Sequence, residues 1–177
     1  MQFVQYTAEA HSKQFYEMNL EYVRWVAELY EKMHNIDLES INGKSNEEYV
    51  KEFLEEFTKV EPPQGIVYVM EDDQNIIGMG AITTLEEGIG EIKRMYIRPQ
   101  YRGKGFGKEM LGRLLEHGKT FGFTKIRLET ADFFEVARHL YQSIGFEDIE
   151  EYLGGEVSPS LRNTVRYMEL NLNNTQN

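Results

Sequence analysis

Three glycines at alternate positions in Gln100-Tyr-Arg-Gly-Lys-Gly-Phe-Gly107 constrain this chain more than any other feature. They lie between a strand-like run, Glu91–Ile97, and a helical run to about Phe121 that carries Met110, Leu111, Leu114 and Leu115 on one stripe. Without Cβ atoms the backbone here can approach a ligand closely. The first turn of the following helix offers unpaired amides at the positive end of its dipole. Strand, glycine turn and helix start in that order suit a phosphate or pyrophosphate. Two known phosphate loops do not fit. A Walker loop fails because Glu109 stands where Ser or Thr is needed and Arg102 where the first Gly is needed. A dinucleotide fingerprint fails because its third Gly falls on Lys108.

Charge singles out the same stretch. Residues 1–90 hold 6 Lys/Arg against 18 Asp/Glu, residues 91–127 hold 10 against 3, and residues 128–177 hold 3 against 9. A basic island around the glycines thus separates two acidic arms, and an anion site belongs on it. The overall net charge of −11 argues against nucleic acid as a partner. The absence of cysteine excludes a disulfide scaffold, a Cys-based zinc site and a thiol nucleophile. His11, His34, His117 and His139 show no metal-ligand spacing, so no metal is expected. No apolar run approaches the ~20 residues of a bilayer span. Met1-Gln-Phe-Val-Gln-Tyr lacks the regions of a secretory signal, and a cytoplasmic location without membrane attachment is the expectation.

Hydrophobic periodicity places the remaining elements. Residues 2–7 alternate as a strand, and Ala8 to about His34 reads as one helix or two, with Asn19 as the candidate break. Ser45 and Glu48 form a capping box for a helix carrying Val50, Phe53, Leu54 and Phe57. Ile66–Met70 and Ile76–Thr83 make a hairpin, and Gly88-Ile-Gly90 punctuates before Glu91–Ile97. Lys125–Thr130 is the next strand, Phe134–Ile144 a helix stopped by Gly145, and Phe146–Tyr152 and Val165–Leu172 are closing strands. Residues 1–172 form a single mixed α/β domain, and 173–177 a frayed tail.

Gln100, Gly103 and Gly105 fit [Gln/Arg]-x-x-Gly-x-[Gly/Ala], and Ala137-Arg-His-Leu-Tyr141-Gln-Ser-Ile-Gly145-Phe146 fits A-x-x-L-Y-x-x-x-G-F. Together, over about 60 residues from Glu91 to Tyr152, they resemble the GNAT superfamily of acyl-CoA-dependent N-acetyltransferases. The resemblance implies a twisted, mostly antiparallel mixed sheet flanked by helices, with two central parallel strands, Glu91–Ile97 and Lys125–Thr130, that splay apart. It makes residues 91–152 the acyl-CoA-binding core and residues 1–62 the variable helices on the acceptor side. Acetyl-CoA is then the co-substrate. Backbone amides of Met95, Tyr96 and Ile97 would contact pantetheine and the thioester carbonyl. Pyrophosphate would rest on the amides of Arg102, Gly103, Lys104, Gly105, Phe106 and Gly107, with Lys108 adding charge. One departure stands out: the Asn that many members carry seven residues before the Tyr is Phe134 here, and the nearest polar side chain is Asp132.

Acetyl transfer from a thioester to an amine needs a base for the amine, donors for the carbonyl and an acid for the leaving thiolate. The resemblance gives Tyr141 as the acid and Glu91 as the base, with Glu129 or an acid on the N-terminal helices as substitutes. The acidic first arm, with Tyr16, Tyr22, Trp25 and Tyr30 among its glutamates, favours a cationic amine acceptor such as a polyamine, an aminoglycoside-like molecule or a lysine-type amine. The alternative is a non-catalytic acyl-CoA sensor of the same fold. A homodimer is left open.

Overall fold

A computed structural model describes residues 1–174. Seven strands form one sheet in the order β1-β2-β3-β4-β5-β7-β6. They are β1 (Gln2–Gln5), β2 (Gly65–Asp72), β3 (Asn75–Glu86), β4 (Ile89–Ile97), β5 (Lys125–Ala131), β6 (Glu147–Ile149) and β7 (Val165–Asn171). Every pairing is antiparallel except that of β4 with β5. The helices are α1 (Ala8–His34), α2 (Leu38–Asn42), α3 (Asn46–Phe57), α4 (Phe106–Thr120) and α5 (Glu135–Ile144).

Two hydrophobic layers cover the sheet. Met110, Leu111 and Leu114 of α4 and Tyr141 of α5 pack on Ile92, Ile126 and Leu128. Phe15 and Met18 of α1 and Phe57 of α3 pack on Val67, Val69, Met79 and Tyr96 of the opposite face. Because side chains alternate along a strand, Ile126 and Leu128 facing α4 send Arg127 and Glu129 to the α1–α3 face.

Asn19 does not break α1. It is fully buried, and its Nδ2 donates to the Phe15 carbonyl at 2.9 Å, a bond a continuous helix accommodates. The capping box at Ser45 forms as expected, with Glu48 Oε2 accepting from the Ser45 amide at 2.9 Å. Several elements differ from the periodicity, and the hairpin strands run longer than expected, over Gly65–Asp72 and Asn75–Glu86. Gly90 lies inside β4 rather than before it, and the short α2, capped by Asp37, replaces what the sequence left as a connection. The strand expected over Phe146–Tyr152 is only Glu147–Ile149, because Tyr152 turns away to bond Glu91. Of the expected tail, Asn173 and Asn174 belong to a 3-10 turn over Leu172–Asn174, and residues 175–177 lie outside the described residues. Among the described residues, no helix is long and apolar enough to cross a membrane.

Candidate active site

The site begins where β4 and β5 part. Their parallel register runs only from Ile89↔Lys125 to Ile92↔Leu128. Beyond it β4 follows β3 to Ile97 and β5 follows β7 to Ala131, so the sheet opens between them. A bulge accompanies the opening. Met79 faces Tyr96 and Ala81 faces Lys93, which leaves Arg94 and Met95 both opposite Gly80, with Arg94 at φ +53. The extra residue restarts the alternation, so Arg94 joins Glu91 and Lys93 on the α1–α3 face.

The Arg98 amide bonds the Ile77 carbonyl of β3 at 2.9 Å. Alternation then turns the Ile97 and Met95 amides toward the opening and that of Tyr96 toward β3. The Tyr96 side chain packs toward α1, its hydroxyl donating to Glu21 at 2.9 Å.

Below β4 a 3-10 turn over Pro99–Tyr101 leads into the glycine loop, and Gly105 at φ +85 caps α4 with no side-chain bond. The Arg102 amide closes that turn on Pro99, and its guanidinium lies 4.6 Å from the Trp25 ring while Nε donates to the Ile97 carbonyl. The free amides therefore begin at Gly103. None from Gly103 to Lys108 donates to a backbone carbonyl, and a Cβ at Gly103 or Gly105 would meet open space. This is a concave row of donors at a helix start, and it fits the pyrophosphate of an acyl-CoA. Lys104 and Lys108 stand exposed beside it. Among the described residues, no group of three or more His, Asp or Glu is arranged to hold a metal ion.

One cavity of about 860 Å³ runs from this cradle through the opening to the α1–α3 face. Tyr141 lines it at the α4 side, 7 % exposed and 5.8 Å from the Phe146 ring. Its hydroxyl makes no hydrogen bond with the described residues. Burial pushes its pKa well above the usual tyrosine value, and Tyr22 adds to the effect. Phe134, in place of the expected Asn, packs 5.0 Å from the Trp25 ring, and Asp132 pairs with His34 at 2.8 Å. The polar group expected from that loop is thus replaced by an aromatic wall.

On the other face three carboxyl groups line the cavity. Glu91 is 2 % exposed; Tyr152 donates to its Oε1 at 2.8 Å. Lys93 Nζ stands 2.8 Å from its Oε2, an ion pair without hydrogen-bond alignment. Glu156, from the irregular segment between β6 and β7, pairs with Arg94 and accepts from Tyr49 at 2.8 Å. Arg94 is held with its guanidinium 3.9 Å from the Phe53 ring, and its enclosed Nε has no partner. Glu129 accepts from the amides of Glu156 and Val157 at 2.8 and 3.0 Å but has no cation among the described residues. Burial, aided by Glu91 and Glu156, raises its pKa to about 6 against the two amide bonds.

Sequence reasoning brought Tyr141, Glu91, the β4 amides and the glycine loop to one cavity. It did not find Arg94, Tyr49, Tyr152 or Glu156. These meet across separations of 45 to 107 residues, and no local pattern marks such pairings.

Comparisons with known proteins point to one family and one fold. The model of the Acetyltransferase (GNAT) family matches residues 26–146. The uncharacterized N-acetyltransferase YjgM of Escherichia coli K12 is 36% identical over 105 residues, covering 57% of this chain and 63% of that protein. The chain thus spans less than two thirds of that relative. A GNAT-family acetyltransferase from Staphylococcus aureus Mu50 superposes with a TM-score of 0.70 at 19% identity, covering 97% of this chain and 98% of the other. PaiA N-acetyltransferase from Thermoplasma acidophilum, solved with coenzyme A, gives 0.67 at 18% identity, covering 96% and 98%. At such identities the likeness is one of fold.

Proposed function

The chain belongs to the GNAT family of acetyltransferases, and from that premise we propose that it transfers the acetyl group of acetyl-CoA to a primary amine by direct attack in a ternary complex. The observation that carries this reading is the buried Tyr141, which lines the cavity with its hydroxyl unpartnered among the described residues and protonated at neutral pH. A binding module needs no such group.

Pyrophosphate lies on the amides of Gly103 to Lys108, and the pantetheine arm threads the opening between β4 and β5. The amides of Met95 and Ile97 meet the arm there and polarise the thioester carbonyl. The amine enters from the α1–α3 face and attacks the carbonyl carbon, while a carboxylate takes its proton. The C–S bond then breaks, and Tyr141 protonates the departing thiolate.

Glu91 is the base in the reading from sequence. Glu129 is a second reading, favoured by its missing counter-ion and its pKa of about 6, close to what a base working at neutral pH needs. Both oxygens of Glu91 are already engaged by Tyr152 and Lys93.

Thiol release from acetyl-CoA, measured against a panel of primary amines with the amide identified by mass spectrometry, tests the reading. Amide formation supports it. Acetyl-CoA binding with no product from any amine favours the sensor alternative.

A further inference from the structure

On the acceptor face three carboxyl groups line the cavity, and two cations accompany them. Lys93 pairs with Glu91 and Arg94 pairs with Glu156, which leaves Glu129 as the carboxylate of this face without a cation among the described residues; a fourth lining carboxylate, Glu135, stands exposed at the start of α5. Asn42, Asn46 and Ser158, with the tyrosines Tyr22, Tyr30 and Tyr49, add neutral polar groups to the lining on this side. The nearby Asp132 and Arg127 are paired outside it, with His34 and with Glu86 and Glu169.

Next to Glu129 the lining becomes apolar. Val26, Tyr30, Leu38, Phe133, Val157 and Leu161 all line the cavity and belong to one packed cluster. Val157 joins the two regions, since its amide bonds Glu129 while its side chain packs in that cluster. Gly155 fixes the fit from behind: a Cβ there would fall 2.1 Å from Glu129 Oε1.

Resting on the transferase reading above, we infer that the acceptor is a monoamine with an apolar or aromatic body, its amine at Glu129 and its body against the Val26–Tyr30–Leu38–Leu161 wall. One unpaired carboxylate matches one ammonium. A second ammonium, as in a diamine or polyamine, would either lose its hydration against apolar walls or approach Lys93 and Arg94. A polyhydroxylated amino sugar would leave its hydroxyl groups unpaired on the same surface.

The test compares amines on the intact protein with saturating acetyl-CoA: propylamine, butylamine, hexylamine, 2-phenylethylamine, kanamycin and 1,6-diaminohexane, the last matched in length to hexylamine. kcat/KM should rise about fourfold per methylene from propylamine to hexylamine. Hexylamine should exceed 1,6-diaminohexane by about tenfold or more. Val157→Asp adds a second carboxylate beside the wall, so the hexylamine-to-diamine ratio should fall about tenfold or more. A preference of the wild-type protein for the diamine or kanamycin, or no dependence on chain length, overturns this inference and leaves the transferase reading standing. No transfer to any amine while acetyl-CoA is bound overturns both.

Discussion

Replacing Tyr141 by phenylalanine separates chemistry from packing. The ring sits in the α4–α5 core, 7 % exposed, against Phe146. Its hydroxyl has no partner among the described residues, so deleting it strands no donor or acceptor there and opens no cavity in the packed ring layer. Stability should therefore change by no more than about 0.5 kcal/mol. For a chain of this length that is roughly 1–2 °C in Tm. The affinity for acetyl-CoA, measured by titration calorimetry, should stay within about twofold, because the cradle and the β4 amides are untouched. Turnover should fall about 10²–10⁴-fold, the range for losing a general acid. A drop in kcat with KM unchanged locates the loss in the transition state. If turnover stays within about threefold of wild type, Tyr141 is only a core residue and the acid lies elsewhere. A fall in Tm beyond about 5 °C would show that the hydroxyl holds the fold together.

Other perturbations probe the remaining parts. Gly105→Val meets open space but forces a β-branched residue to φ +85, so it should destabilise by about 1–3 kcal/mol in a thermal melt and weaken acetyl-CoA binding more than tenfold. Unchanged affinity in the folded variant removes the cradle assignment. If Glu129 is the base, kcat/KM should rise with pH up to about 6 and then level, and Glu129→Gln should abolish that limb. Because folding raises this carboxyl above its ordinary 4.5, the native state binds its proton more tightly than the unfolded chain. Wild-type stability should then decline relative to Glu129→Gln between about pH 4.5 and 6, and no further. Glu156→Gln keeps a partner for Tyr49 but leaves the buried Arg94 without its counter-ion, for a loss of about 2–4 kcal/mol by denaturant melt. The double change Arg94→Met with Glu156→Leu should restore most of it.

Where the sequence was legible, a local rule was in force. Apolar periodicity marked α1, α3 and α4, and the Ser45–Glu48 box marked a start. Alternate glycines marked the turn into α4 because only such residues adopt φ +75 and +85 at Gly103 and Gly105 without strain. Tyr141 was singled out by the resemblance of Ala137–Phe146 to a family element, which here is one helix and its cap. Long-range pairings were not legible. Glu156 follows two glycines in a segment without periodicity, and nothing near it announces Arg94 as its partner. The bulge that turns Arg94 to the acceptor face left no glycine at its own position, although φ there is +53. Glu129 was only a substitute for the base in the sequence, and its burial and its two amide bonds without a cation among the described residues are what set it apart.

The most direct test of acetyl transfer follows thiol and amide together after mixing the protein with acetyl-CoA and a primary amine such as hexylamine. Direct attack predicts equimolar CoA thiol and N-acetyl amide, and no acetyl group retained on the chain when acetyl-CoA is supplied alone. Thiol release without amide, or an acetylated chain that passes its group to the amine afterwards, would contradict it.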